Sequence, residues 1–352
     1  MARLSRRKLL TGFASLSGAG ALAHSLIPHR HGTAAAAVAG QPATHGGERP
    51  GSAAHGHGFK TGATVDHAAN GFNPTEMLRD FDMGKTRRLA SGRVLREWEL
   101  FAVDKEIEVA PGVKFPAWTY NGRVPGPTLR CREGDRLRIK FVNGSEHAHT
   151  IHFHGIHRDV MDGVPGVGEE IGGGLIKPGE RFTYEFEAEP FGLHLYHCHT
   201  PPLAAHIHKG LYGAFIVDPK QGRPEADEIV MVLNGFDTNF DLGNEVYAVN
   251  TVGFHYQNEP VRVKRGELVR IYLANLLEFD QINSFHTHAN FFHYFPTGTS
   301  LEPVEFTDTI IQAQGQRGIL ELRFPYTGRY MFHAHKTEFA ELGWLGFFEV
   351  RD

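Results

Sequence analysis

From about residue 95 to the end of the chain, apolar and polar residues alternate in short runs. VLREWELFAVDKEIEVA, DRLRIKFVN, RFTYEFEAEP and GAFIVDP are examples, each bounded by Gly, Pro, Asn or Asp. A period of two sends successive side chains to opposite faces of a strand, so each run predicts a strand with one buried face. Many such strands separated by turn residues predict an all-β sandwich architecture. No long stretch keeps a helical period.

The pattern also repeats. REGDRLRIKFVN at 132–143 matches KRGELVRIYLAN at 264–275, FGLHLYHCH at 191–199 matches TGRYMFHAH at 327–335, and GLYGAFIV at 210–217 matches GWLGFFEV at 343–350. Two copies of one sandwich therefore follow each other, over 95–220 and 221–352. The join falls near DPKQGRPEADE, polar and proline-containing as a linker should be. Residues from about 24 to 75, rich in Gly, Ala, His and Pro, show neither period. They predict a flexible leader, with 40–94 as a His/Gly-rich approach to the first sandwich. His45, His55 and His57 in it are expected to belong to a solvated tail.

Each copy carries two histidine clusters. HTIHFHG (His149, His152, His154) and HCH (His197, Cys198, His199) lie in the first, FHTHANFF (His286, His288) and HAH (His333, His335) in the second. In a strand, residues two apart share a face, so every H-x-H pair sends two imidazoles to one side. A single pair is a weak signal, but four pairs at equivalent places in a duplicated fold, eight imidazoles in all, point to metal. Imidazoles without balancing carboxylates suit copper or zinc by ligand type. Cys198 decides for copper, because a thiolate with two histidines and a weak axial ligand defines a blue electron-transfer site. His149 supplies one nitrogen, and His206 or His208 the other, with His206 preferred. Leu211 stands where an axial methionine is often found, and a hydrocarbon there should raise the reduction potential. In the second copy, Asn283, Ala334, Phe339 and Trp344 stand opposite His149, Cys198, His206 and Leu211. The second copy thus loses its blue site while keeping its H-x-H pairs.

At these residues the chain resembles the two-domain multicopper oxidases, laccase-like relatives of copper nitrite reductase. NGRVPGPTLRCREGD, HTIHFHG, HCH with a histidine seven residues on, and GLYGAFIVDP carry the resemblance, over roughly 95–352. It implies two tandem cupredoxin-like Greek-key β-sandwich domains. It also implies four coppers per chain: a type 1 copper at the thiolate, a type 2 copper on His152 and His286, and a type 3 pair on His154, His197, His199, His288, His333 and His335. By the same resemblance, phenols or aromatic amines are oxidised one electron at a time and dioxygen is reduced by four electrons to water. Asp162, in DVMDGVPG, is then the candidate for delivering protons, with Glu338 a second, and a homotrimer would join the first domain of one chain to the second of its neighbour. His147, His157, His194 and His293 have no counterparts in the repeat and are expected to support the ligands or lie on the surface.

Composition narrows the alternatives. The 352 residues include 23 histidines but only 2 cysteines, 6 methionines and 3 tryptophans, with a formal net charge of -4. That charge gives no reason to expect nucleic acid as partner. The basic start with Arg6 and Arg7, followed by a short apolar stretch broken by glycine, reads as a twin-arginine export signal within leader 1–39 and not as a membrane span. Small-residue cleavage sites occur at 21–23 and 37–39, and the expected location is periplasmic or extracellular. Cys131, in a strand-like run, is expected to be a small core residue and not a disulfide partner of Cys198. Rival readings are a copper nitrite reductase, which needs fewer histidines, and a non-catalytic copper electron carrier.

Overall fold

The structure is a computed structural model that describes residues 63–352. The export signal, both cleavage sites and His45, His55 and His57 lie outside the described residues. The fold is all-β, as the alternation predicts. In the first sandwich one sheet joins Phe81–Asp82, Thr128–Arg132, Tyr212–Asp218, Gly192–His197 and His152–Phe153. The facing sheet joins Lys85–Arg88, Val94–Ala110, Arg136–Asn143 and Arg181–Glu187, with Val113–Tyr120 folded onto Val94–Ala110. In the second sandwich Val246–Val249, Asp227–Phe236, Leu268–Asn275, Arg317–Arg323, Phe292–Pro296 and Glu305–Thr307 form one sheet. Val261–Lys264, Leu345–Arg351, Gly328–His333, Ile282–Thr287 and Thr309–Ala313 form the other.

Strand Arg136–Asn143 shows how pattern becomes packing: Leu137, Ile139 and Phe141 point inward, while their neighbours reach the surface. These inward faces build one core per sandwich, around Leu129, Phe153 and Phe215 in the first and around Ile271, Phe332 and Trp344 in the second. A third apolar cluster lies between them, where Leu193, Leu195 and Ile216 pack with Val230, Val232 and Ile319. That is why Gly192–His197 and most of Tyr212–Asp218 are buried on both faces, without alternation.

The junction is also ionic. Glu228 takes Arg130 at 2.6 Å and Arg270 at 2.8 Å, and Asp218 and Glu321 complete the pairs. The two halves are thus locked by apolar packing and buried charge together.

The structure corrects the extent of the flexible leader, which was expected to run to about residue 75. From Ala63 on the chain is built into the fold. Asp66 caps the turn His67–Asn70, Asn73 caps Pro74–Met77, and Val65, Phe72 and Met77 enter the cluster between the sandwiches. Phe81–Asp82 and Lys85–Arg88 then join the sheets of the first sandwich, which therefore begins before residue 95. A few isolated apolar residues anchor this segment, too few to make a period.

Candidate metal centre

Strand Gly192–His197 ends at the rim of the first sandwich, and the residues just past it turn the chain toward two sites. Cys198 N–H donates to Leu211 O at 2.9 Å, and Leu211 N–H to His206 O at 3.3 Å, which folds helix Leu203–His208 back over the thiol. His206 Nδ1 then lies 3.2 Å from Cys198 Sγ and 3.1 Å from His149 Nδ1, itself 3.8 Å from the sulfur. His149 is fixed from behind, its Nε2 against Ser145 Oγ at 2.9 Å and its backbone N–H on Ile176 O.

Of His206 and His208, the two left open by the sequence, His206 is the one placed at the sulfur. His208 points the other way, accepting the Asp237 N–H at Nε2 and packing against Phe115 and Phe279. Burial pushes His149 down to about 3 and His206 to about 4, so both rings are neutral and each keeps one lone pair to offer. Burial also raises the Cys198 thiol, against hydrogen bonds from Thr200 and Thr150 that favour the thiolate. Two facing ring nitrogens and a sulfur with little polar company make a donor set that a soft cation fits, and its charge would ionise the thiol. Leu211 is fully buried in the same core.

The flanking histidines face a different place. His152 pairs across the ladder with His197, and His154 Nε2 lies 2.9 Å from His197 Nε2. His199 completes a group of four, 5.4 Å from His152 between ring centroids. In the second sandwich His286 pairs with His333, His288 Nε2 lies 3.0 Å from His333 Nε2, and His335 packs edge-to-face 5.2 Å from His286. Facing ring nitrogens about 3 Å apart are spaced to share one proton or, with both lone pairs directed inward, one metal ion. His197 and His333 each bond through Nδ1 to the carbonyl of the following residue, at 2.8 and 2.7 Å, which aims Nε2 outward. Burial lowers His154 to about 3 and His197 to about 4, keeping them neutral. Among the described residues, each three-histidine group that could hold a metal draws on one sandwich only.

Of the two proton-transfer candidates, Asp162 lies at the first half. Its Oδ1 is 2.7 Å from His152 Nδ1, with its own carbonyl a second acceptor at 3.0 Å. The turn that aims it requires Gly163 at φ +70°, where a Cβ would sit 2.1 Å from Ile151 O. Glu338 is half-exposed, pairs with Lys336 at 3.6 Å and bonds to none of the histidines. His157, expected only as support or surface, also meets Asp162 Oδ1, at 3.2 Å, and packs 5.1 Å from His152. Its equivalent in the second copy is Phe291, so comparison of the repeats could not have found it. His194 holds the His154 carbonyl, while His293 packs on Phe306.

The corresponding positions of the second copy are filled by packing. Trp344 Nε1 donates to Asn283 Oδ1 at 3.1 Å, and Ala334, Phe339 and Trp344 are fully buried. Ala334 N–H still reaches Trp344 O, as Cys198 N–H reaches Leu211 O, so the residue pairing read from the repeats holds in three dimensions.

Family models described as multicopper oxidase match residues 102–222 and 224–352. A crystal structure of a multicopper oxidase is 64% identical with a TM-score of 0.80, covering 82% of this chain and 100% of that one. The copper nitrite reductase from Nitrosomonas europaea aligns at 27% identity and TM-score 0.66, over 73% of this chain and 94% of that one. By sequence, the copper-containing nitrite reductase of Neisseria gonorrhoeae is 30% identical over 66% of this chain and 62% of its own length. The chain thus spans less than two thirds of the length of that relative.

Proposed function

The chain belongs to the multicopper oxidase family, and from that premise we propose that it takes single electrons from a small reducing substrate, a phenol or aromatic amine, and passes four of them to dioxygen to give water. One observation carries the reading. Cys198 Sγ faces His149 and His206, while its neighbours His197 and His199 face the polyhistidine group, so a single segment touches both sites. Copper, when bound, supplies one-electron chemistry at the thiolate and a place for dioxygen at the histidines.

The proposed assignment is one copper on His149, Cys198 and His206, a second on His152 and His286, and a pair on His154, His197, His199, His288, His333 and His335. His152 and His286 are alike in being held at Nδ1, by Asp162 and by the Asp308 carbonyl with Thr309 Oγ1. Such contacts leave Nε2 to face a metal. Asp162 orients His152 and offers carboxylate oxygens to carry a proton to the reacting site. His288 and His335 lie exposed in the single chain, which supports a homotrimer whose sites close between the first sandwich of one chain and the second of the next. The Arg6–Arg7 start supports export by the twin-arginine route.

Copper analysis with oxygen uptake tests the reading. About four coppers per chain, intense thiolate absorption and oxygen consumption with a phenol are expected. Cys198→Ser should lose the absorption and the uptake together. About two coppers per chain, with nitrite reduced instead of oxygen, would establish the nitrite reductase reading suggested by the relatives.

A further inference from the structure

The donor atoms of the thiolate site are closed to solvent: Cys198 and His149 are fully buried and His206 is 4% exposed. A reducing substrate cannot touch either imidazole directly, so an electron must cross whatever covers them. Trp118 forms the larger part of that cover. Its ring lies 4.8 Å from the His206 ring and 5.3 Å from the His149 ring, tilted by 59° and 57°. Beside it, 4.5 Å away, is the exposed imidazole of His147, itself 6.4 Å from the His149 ring.

The other two tryptophans are structural by contrast. Trp98 and Trp344 are buried, with Nε1–H donated to Asp82 O and Asn283 Oδ1. Trp118 is half-buried, and its Nε1–H meets no protein acceptor and is not sealed in the interior. Its backbone is pinned: Trp118 N–H donates to Lys209 O at 2.9 Å, one residue past the helix that carries His206, and it pairs with Asp104 in the ladder. Lys209 Nζ donates to Pro116 O and lies 5.9 Å over the indole, while Asp104, bonded to Ser145 and the Glu146 N–H, acts on Lys209 with opposite charge. The two charges beside the indole offset one another, which favours an uncharged donor.

We propose that Trp118 is where the reducing substrate docks and the gateway through which its electron enters, a deepening that rests on the oxidase reading above. A small, neutral, electron-rich aromatic packs against the Trp118 and His147 rings, with its oxygen or nitrogen accepting the indole N–H. One electron would leave the donor's π system and cross the indole to the site of His149, Cys198 and His206, where a bound copper would supply the one-electron acceptor. The donor becomes a radical, its acidic proton passes to bulk water, and the indole ends unchanged. Trp118 holds no metal; it positions the donor and bridges the gap.

Two measurements test this on the full-length protein, using 2,6-dimethoxyphenol as the probe. In copper-free protein, the phenol should quench a saturable part of the tryptophan emission, and Trp118→Phe should remove that part. In copper-loaded protein without oxygen, Trp118→Leu should keep the thiolate absorption while the phenol bleaches it about tenfold more slowly, the cost of a lost aromatic partner, with Trp118→Phe between the two. Bleaching of Trp118→Leu at the parent rate, or emission without saturable quenching, overturns the proposal. If the loaded protein has no thiolate absorption at all, the oxidase reading fails instead, while the copper-free quenching still reports on docking at Trp118.

Discussion

Asp162 gives the sharpest test of how the polyhistidine site is built. Its carboxylate meets His152 Nδ1 at 2.7 Å and its main-chain carbonyl meets the same nitrogen at 3.0 Å. Asp162→Ala removes the carboxylate and leaves the carbonyl, so the ring loses its stronger acceptor but not its only one. A hydrogen bond to a charged group is worth about 1.5–3 kcal/mol, which sets the loss near 10- to 100-fold in affinity for the copper that His152 would hold. Asp162→Asn keeps an oxygen at that position and should lose about tenfold or less. Competition with a chelator, titrated against copper-free protein, measures this directly, and the thiolate absorption should not change. Glu338→Ala is the control, since an exposed pair with Lys336 contributes about 0–1 kcal/mol. The reasoning is refuted if Asp162→Ala binds copper within twofold of the parent, or if Glu338→Ala matches its loss.

Three further outcomes follow from the same structure. His149 and His206 titrate at about 3 and about 4 in the fold, against about 6.5 in an unfolded chain, so the unfolded state takes protons first as pH falls. Copper-free protein should therefore be fully stabilised above pH ~6.5 and lose about 2 kcal/mol per shielded imidazole by pH 5, seen as a lower urea midpoint; an unchanged midpoint contradicts this. Glu228→Ala takes one carboxylate from each of Arg130 and Arg270, leaving them Asp218 and Glu321, and should cost about 1.5–3 kcal/mol in denaturant unfolding, with a loss below about 0.5 kcal/mol counting against an ionic lock. Leu211→Met offers the thiolate site a sulfur donor, and spectroelectrochemical titration should find a lower reduction potential, not an equal or higher one.

What the sequence revealed depended on period and repetition. H-x-H pairs are legible because a strand's two-residue period puts both rings on one face, and the second copy checks each assignment independently. Asn283, Ala334, Phe339 and Trp344 are legible as counterparts of His149, Cys198, His206 and Leu211, and the Trp344–Asn283 hydrogen bond shows how they pack. Features without a repeat partner were hidden. His157 reaches Asp162 only because the DG turn folds back over Ile151, and nothing in its spacing says so. Val65, Phe72 and Met77 are each single apolar residues in a polar stretch, and their burial depends on a groove made by distant strands.

The same distinction explains why Trp118 escaped notice as a site residue. It sits in AWTYNG, where an aromatic residue in an alternating run reads as an ordinary strand position. Its significance comes from the helix Leu203–His208, which brings His206 against it, and from the loop that brings His147 beside it. The second sandwich shows the reverse: Trp344 turns inward, donates its N–H to Asn283 and fills the corresponding position. One copy buries its tryptophan in the core; the other leaves a tryptophan half-open beside His149 and His206. Exchanging the roles should be visible in one spectrum. Copper added to copper-free protein should quench the emission of Trp118, which lies against two ligands, and spare that of Trp344, so Trp118→Phe should abolish most of the copper-dependent quenching and Trp344→Phe little of it.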